Sequence, residues 1–255
     1  PALSGITCTG QPGGLAALAT GCALIRAGRA EACLIGGLEA VDVAMLDWLD
    51  THRQLKAEDV PCGLIPGEAA GFVLLASAGF LHRHGLPGAV QVLAGATAAE
   101  PSPWYAGQPA TGAGLSQVLG GLLTPEAPHA KDLRADVTFI DHNGQNWRAE
   151  EWLTAWLRHA PRLADPLDLR HPADGWGDIG AATGVLLTAL ASAELCHPWA
   201  SPGHKAEGQT ALLACAAQFG PERAGLLLHR PPPPEPRPSA HPTDHPADHP
   251  TGEAA

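Results

Sequence analysis

The first periodic stretch of apolar residues predicts a helix near the start of the chain. Apolar side chains recur every three or four positions from Leu15 to Ile25, which is the spacing of one helix face. Pro12 suits the first helical position because its missing N–H needs no partner there, and Gly28 is typical of a helix end. The two adjacent glycines in TGQPGGLAAL (9–18) cost about 1 kcal/mol each relative to alanine. They therefore indicate a close backbone approach or an unusual dihedral angle.

Three continuous apolar runs follow this helix and are predicted to be buried strands. They are EACLIGGL (31–38), AAGFVLLA (69–76) and AVQVLAGA (89–96). Residues 39–66 show no clear period, so we expect mostly loop there, with a helix near 40–50. Helix, strand, loop and strand in this order favour an α/β fold with buried strands.

The second half of the chain continues the alternation. Residues 97–111 are rich in Pro, Gly and Ser and predict a linker or surface loop. The elements predicted beyond it are a helix at 115–123, a strand at 137–141, an amphipathic helix at 147–159, a long helix of small residues at 177–195, and a closing strand pair at 211–220 and 224–230. The apolar stripe of the amphipathic helix consists of Trp152, Leu153, Trp156 and Leu157. Its tryptophans favour packing in the core or in a subunit interface over an acyl-ligand wall.

The last 25 residues differ sharply in composition from the rest. Residues 231–255 contain almost no large apolar side chain, so they cannot bury enough surface to offset the entropy of ordering. They are predicted to be a disordered Pro/His-rich tail. Histidines recur there at a spacing of four, at His241, His245 and His249. They could touch a metal, but a solvated low-complexity tail is the favoured interpretation.

Composition narrows the range of partners. The 255 residues carry 15 Lys+Arg against 26 Asp+Glu, a net charge of -11, which argues against nucleic acid and anionic membranes. No run reaches the roughly 18 apolar residues of a membrane span. The six cysteines form no CxxC pair, so we expect reduced thiols and a cytoplasmic location. No cofactor or metal is predicted. The chain begins at Pro1 rather than at a methionine, which leaves open whether residues precede it.

Four motifs, in order and at similar spacing, resemble the β-ketoacyl synthase branch of the thiolase-like superfamily. They are the helix start at Gln11 followed by IRAGRAEACLIGGLEA (25–40), PGEAAGFVLL (66–75), FIDHNGQNWRAEE (139–151) and GDIGAATG (177–184). The resemblance implies an α/β thiolase-like layered fold (αβαβα). It assigns 1–94 to the remainder of an N-terminal half and 95–230 to a C-terminal half. The first part of the N-terminal half is expected to be missing.

The resemblance also implies where the catalytic residues would lie. A ketosynthase uses a cysteine thiolate at a helix start, where the macrodipole lowers its pKa, and two histidines that stabilise the charge formed on decarboxylation. The nucleophile position falls on Gln11, the first histidine on His142 and the second on Asp178. Glutamine cannot carry a thioester, and a carboxylate would repel a developing oxyanion.

Simpler interpretations of these positions stay open. Asp178 precedes a helix, where capping explains it without catalysis, and His142 could be a structural histidine. Cys8 could serve as the nucleophile only if three residues were inserted ahead of the helix; an ordinary thiol near a strand end is the favoured interpretation. Gln11 itself has a specific parallel, since the run QPGGLAALA is similar to the helix start of polyketide chain length factors. Its amide could offer hydrogen bonds where an acyl carbonyl would lie.

Three functions follow from this pattern. The leading hypothesis is a catalytically degenerate ketosynthase-like partner subunit in fatty acid or polyketide-type chemistry. It would form a dimer with a ketosynthase-like chain or with itself through the region of residues 31–36 and the Gln11 helix, with acyl carrier protein as a further partner. The second is an active acyltransferase or malonyl-carrier-protein decarboxylase using His142 with Gln11 or Cys8. The third is a ketosynthase-like scaffold or chaperone without acyl chemistry.

Overall fold

The computed structural model describes residues 4–88, 90–124, 134–163, 168–196 and 209–231. The helices are Gly13–Arg26 (α1), Val43–Thr51 (α2), Ala78–His84 (α3), Ala113–Leu122 (α4), Asn146–His159 (α5), Ala173–Trp176 (α6) and Thr183–Cys196 (α7). The strands are Ala32–Glu39 (β1), Ala69–Ala76 (β2), Gln91–Ala99 (β3), Val137–Ile140 (β4), Leu169–Arg170 (β5), Gln209–Ala216 (β6) and Glu222–Arg230 (β7). Apart from residue 231, the predicted tail lies outside the described residues, and so do its three histidines.

The strands form two sheets with helices between them. β1 and β2 pair antiparallel, with Ile35 opposite Val73. The larger sheet has the order β3-β7-β6-β4-β5. β6 and β7 form the predicted closing antiparallel pair, while β4 runs parallel to both of its neighbours. α1 and α7 pack between the two sheets, and α4 and α5 cover the opposite face of the larger sheet. The result is a layered α/β fold, as predicted.

Successive side chains of the central strands point to opposite faces of the larger sheet, and this alternation produces one hydrophobic core on each face. On β6, Leu213 and Cys215 contribute to the core around α1 and α7, whereas Leu212 and Ala214 contribute to the core around α4 and α5. All four side chains are buried, which is the pattern expected of a strand covered on both faces. The larger sheet is therefore the centre of the molecule.

The smaller sheet is covered on one face only. Ile35 and Val73 belong to the core or pack against it. The side chains of the opposite face are apolar but exposed: Leu34 (70%), Leu38 (67%), Phe72 (67%) and Leu74 (51%). No described helix or strand packs over them. This outer face is an exposed apolar patch of the kind that marks interaction surfaces.

Several predicted boundaries need correction. The long helix predicted from residue 177 begins at Thr183, because Asp178 is held in an extended bridge to Pro66 and a 3-10 turn at Gly180–Ala182 follows. Strand β3 continues through the first three residues of the predicted linker, to Ala99. Of the stripe on α5, Trp152 is buried, but Leu153 and Leu157 are 50% and 61% exposed. Helices α3 and α6 and the short strand β5 were not predicted.

Candidate functional site

The double glycine at the start of α1 lies where two helix starts meet. A Cβ on Gly14 would be 2.7 Å from the backbone nitrogen of Val185, and a Cβ on Gly184 would be 2.7 Å from the backbone nitrogen of Leu15. α1 and the first turn of α7 thus pack backbone against backbone, so a side chain at either glycine would force them apart. This contact explains why costly glycines are placed in a helix, and it brings the residues ahead of the two helices together.

Gln11 and Asp178 are joined directly. The Gln11 side-chain nitrogen Nε2 donates to both Asp178 carboxylate oxygens, at 3.0 Å and 3.1 Å. The Gln11 carbonyl oxygen Oε1 accepts from the backbone N–H of Gln218 at 3.1 Å. Only 4% of Gln11 is exposed. Both ends of the amide are therefore bound within the protein, which differs from the expectation that it offers hydrogen bonds to an acyl group.

Asp178 accepts hydrogen bonds from three sides. Besides Gln11, the Asn143 side-chain nitrogen Nδ2 donates to Oδ2 at 2.6 Å, and the Gly180 backbone N–H donates to Oδ1 at 2.9 Å. The bond to Gly180 lies at the start of the 3-10 turn that leads into α7, but the N-cap position of that turn is Ile179 rather than Asp178. A carboxylate with several donors is an acceptor in its ionised form. Asp178 is therefore the common acceptor of this network.

The network extends through amides to the surface loop before β2. Asn143 Nδ2 also donates to Gln145 Oε1 at 3.1 Å, and Gln145 Nε2 donates to Gln54 Oε1 at 2.8 Å. Asn143 and Gln145 are buried. Four amide side chains and one carboxylate thus link segments that are far apart in sequence.

The sequence analysis did not predict that Asn143, Gln145 and Gln54 belong to this site. The polar motif HNGQN (142–146) could have pointed to Asn143 and Gln145.

His142 is placed elsewhere. It lines a small cavity with Asp141, Arg148 and Trp152, and its ring lies 6.0 Å from that of His171, centroid to centroid. Its Nδ1 is buried and has no hydrogen-bond partner within the described residues. Burial, and then the neighbouring His171, lower the pKa of His142 below its ordinary value. The structure therefore joins Gln11 to Asp178, and it is Asn143 rather than His142 that donates a hydrogen bond to Asp178.

A cavity of about 310 Å³ opens beside Gln11. Its apolar wall includes the buried Leu49 and Leu64, and its rim includes Cys8 and Phe219. Cys8 is exposed, whereas Cys22 and Cys215 are buried, and burial raises the pKa of both buried thiols. Cys8 is thus an accessible cysteine that lines the same cavity as Gln11, the predicted nucleophile position. No disulfide joins any of the six cysteines.

Behind the cavity, buried ion pairs hold the loops that frame it. The Arg148 guanidinium contacts Asp141 at 2.5 Å and donates to the Gln218 side chain at 3.0 Å. Burial raises the pKa of Asp141, and Arg148 opposes that shift. Arg223 and Glu151 form a second pair in which both side chains are fully buried. The Arg148 contact holds the side chain of Gln218, and the backbone N–H of Gln218 donates to Gln11.

Neither a metal centre nor a membrane helix is found among the residues that the structure describes. No three His, Cys, Asp or Glu side chains lie close enough together there to hold a metal ion. Within the same residues, no helix is long and apolar enough to cross a membrane.

Comparison with solved structures identifies the fold. No protein-family profile matches the sequence, and no curated protein matches it. A ketosynthase domain of the oxazolomycin system from Streptomyces albus JA3453 matches with a TM-score of 0.70 and 17% identity over 92% of this chain and 48% of that one. The ishigamide ketosynthase/chain length factor matches with a TM-score of 0.71 and 16% identity over 87% of this chain and 59% of that one.

A third solved structure extends the comparison. It is the type II polyketide synthase ketosynthase in complex with its acyl carrier protein and bound to the hexaketide, which matches with a TM-score of 0.69 and 14% identity over 88% of this chain and 62% of that one. The chain therefore has the thiolase-like fold of ketosynthases, and it spans about half to three fifths of the length of these three proteins. At these identities, the comparisons establish the fold alone.

Proposed function

We propose that this chain is a non-catalytic partner subunit of a ketosynthase, similar to a chain length factor, in fatty acid or polyketide-type acyl chemistry. The observation that carries the proposal is the position of Gln11 at the start of α1 with both ends of its amide hydrogen-bonded, to Asp178 and to Gln218. A side chain without a thiol forms no acyl thioester, and this one is not free to bind an acyl carbonyl.

The residues around Gln11 support the same conclusion. Ketosynthase chemistry needs hydrogen-bond donors aimed at developing negative charge. Asp178 supplies a carboxylate instead. The side-chain N–H groups of Gln11 and Asn143 donate their hydrogen bonds to that carboxylate. This arrangement stabilises the fold of the site and opposes the charge that decarboxylation would create.

The exposed outer face of the smaller sheet supports a partner. Leu34, Leu38, Phe72 and Leu74 are at least half exposed, and apolar side chains gathered on one face favour association. We propose a ketosynthase-like chain, or a second copy, as that partner, with contacts around β1 and α1. An acyl carrier protein is the further partner proposed. The six unpaired thiols support a reducing, cytoplasmic location.

Co-expression with an intact ketosynthase tests the proposal. A tag on one chain should recover both in a fixed ratio, and light scattering should report the mass of a dimer. If the chain is a monodisperse monomer and its tag never recovers the ketosynthase, the partner function is wrong. A scaffold role without acyl chemistry would then be the hypothesis that remains.

An active acyltransferase or malonyl decarboxylase is the second candidate. It rests on one observation, which is that the exposed Cys8 lies on the rim of the Gln11 cavity. Incubation with malonyl carrier protein followed by intact-mass spectrometry separates the two functions. Loss of carbon dioxide, or an acyl adduct that is absent from Cys8→Ser, would establish enzymatic activity and overturn the non-catalytic role.

A further inference from the structure

A second cleft lies between the surface loop before β2 and the first turn of α5, and none of its lining residues belongs to the Gln11 cavity. Its volume is about 510 Å³. Trp104 and Trp147 line it, with ring centroids 6.1 Å apart and ring planes inclined by 22°. Tyr105 packs edge-on against Trp104 and is 49% exposed. Only 5% of the chain is aromatic, so three such rings in a row distinguish this cleft, which we call the tryptophan cleft.

The rest of the lining adds polar groups to the aromatic surface. Pro61 lies in the loop before β2, together with Arg53, which forms an exposed ion pair with Asp59. Glu150 of α5 is exposed and forms no ion pair with another described residue. The exposed amide of Asn146 can donate hydrogen bonds. The tryptophan cleft thus combines aromatic rings, a hydrogen-bond donor and exposed charges of both signs.

Proline-rich polypeptide is the class of ligand that fits this combination. Such a segment favours the polyproline II helix, which has three residues per turn and no internal hydrogen bonds. Proline has no N–H, so the segment presents mainly C=O acceptors, and the site that binds it must supply donors. Aromatic grooves bind proline rings, and the preformed helix loses little entropy on binding. The tryptophan cleft supplies both the aromatic surface and the donor.

The chain itself contains such a segment directly after β7. Residues 231–238 read PPPPEPRP, in which prolines recur three positions apart, as one edge of a polyproline II helix requires. Two charged side chains interrupt the prolines, Glu235 and Arg237. Their charges are opposite to those of Arg53 and Glu150 in the tryptophan cleft. The composition and the charges of the segment therefore match the cleft.

The geometry of β7 assigns the segment to a second copy of the chain. Trp104 Nε1 donates to the backbone carbonyl of Gln218 at 2.7 Å, so the tryptophan cleft lies near the start of β7. From Glu222 to Arg230, the strand leads away over about 27 Å. Residues 231–238 extend about 25 Å as a polyproline II helix. Within one chain, this length is used up on the way back to the cleft.

We infer that the tryptophan cleft binds the proline-rich segment 231–238 of a second copy of this chain. The rings of Trp104 and Trp147 receive prolines, and Asn146 donates to a peptide carbonyl of the segment. The glutamate of the segment pairs with the arginine of the cleft, and the arginine of the segment pairs with Glu150. This contact goes beyond the proposed partner function and does not depend on it.

A labelled peptide tests the site in the full chain. Fluorescence anisotropy would measure the affinity of fluorescein-PPPPEPRPSA, the sequence of residues 231–240. Glu150→Lys should weaken binding about two- to fivefold, and the peptide change Arg237→Glu should restore it. Asp174→Lys makes the same change of net charge at a side chain that is 69% exposed on α6, and it should leave the affinity unchanged. Trp104→Ala should weaken binding about tenfold or more.

Light scattering tests the assignment to a second copy. The average mass of the full chain should rise with its concentration, and an excess of unlabelled peptide should reverse that rise. A full chain that carries Pro233→Ala and Pro236→Ala should show a smaller rise, because it lacks two prolines on one edge of the segment.

The other outcomes overturn the inference. Equal affinities of the wild type, Glu150→Lys and Trp104→Ala would place the segment elsewhere, and the same holds if no form binds the peptide. If the peptide binds but the mass is independent of concentration, the second-copy assignment is wrong. Because Glu150 is exposed, its charge reversal keeps the test decisive even if circular dichroism shows that Trp104→Ala does not fold.

Discussion

The side-chain nitrogen of Gln11 lies within hydrogen-bonding distance of both carboxylate oxygens of Asp178, at 3.0 Å and 3.1 Å. The two residues are 167 positions apart and meet because α1 and α7 start against each other. An amide and a carboxylate form a neutral-to-charged hydrogen bond that is stronger than one between neutral groups. The contact is therefore a fixed structural link at the place where the resemblance would put reacting groups.

A thiol placed at residue 11 should not by itself be a reactive nucleophile. In a Cys8→Ser background, Gln11→Cys would place the thiol beside the Asp178 carboxylate, and a neighbouring negative charge raises a thiol pKa. Adding Asp178→Asn removes that charge. Alkylation by iodoacetamide at pH 7, followed by peptide mass spectrometry, should be about tenfold faster in the variant that also carries Asp178→Asn. Equal rates would show that the carboxylate does not control this position.

Removing the charge of Asp178 should also destabilise the fold. In Asp178→Asn, one side-chain oxygen replaces two, while Gln11, Asn143 and Gly180 still present donors. A buried donor left unsatisfied costs about 1–3 kcal/mol, so urea unfolding should report a loss of about that size. Asp174→Asn is the matched control, because the Asp174 side chain is 69% exposed, and its loss should stay below about 0.5 kcal/mol. Similar losses for both would contradict the network.

The layered fold was predictable from the sequence because its signals are local. The apolar runs that became β1, β2 and β3 are continuous, and the periodic face of α1 lies between a proline and a glycine. Short elements such as α3 and β5 carry too few residues to show a period. β5 in particular depends on pairing with β4, which no local pattern encodes.

The candidate site was predictable only in part. Gln11 and Asp178 could be found from motif positions, and the structure joins them. A shift of one residue after the end of β4 decides whether His142 or Asn143 faces Asp178. His142 has the expected residue type, but the strand end directs Asn143 towards Asp178. Periodicity does not fix the direction of a side chain in an irregular turn, so the contact between Asn143 and Asp178 could not be predicted from it.

Acid should weaken the fold partly through His142. Burial and His171 lower its pKa in the folded state from the ordinary value of 6.5, so the unfolded chain binds the proton more readily. The stability that depends on the neutral imidazole is therefore lost as the pH falls below about 6.5. Urea unfolding between pH 7.5 and 5.5 should show a smaller loss for His142→Gln than for the wild type. His82→Gln, at an exposed position on α3, should lose as much unfolding free energy as the wild type over this pH range. If His142→Gln also lost as much as the wild type, His142 would not be a source of the acid sensitivity.

The two glycines where α1 and α7 meet give the sharpest test of the architecture. Gly14→Ala adds a methyl group 2.7 Å from the Val185 nitrogen, and overpacking of this kind costs about 1–3 kcal/mol. Gly79→Ala on α3 is the matched control, since the nearest atom there is 3.5 Å away on the flexible Arg83 side chain. It should stabilise the chain by about 0.5–1 kcal/mol through helix propensity.

Opposite signs for the two glycine substitutions are therefore expected in urea unfolding. Gly184→Ala should cost as much as Gly14→Ala, because it opens the same contact from the other helix. The double variant should lose less than the sum of the two single losses, since residues that share one contact are not additive. Full additivity would mean that the two glycines act separately. In that case, the close approach of α1 and α7 could not be what positions Gln11 beside Asp178.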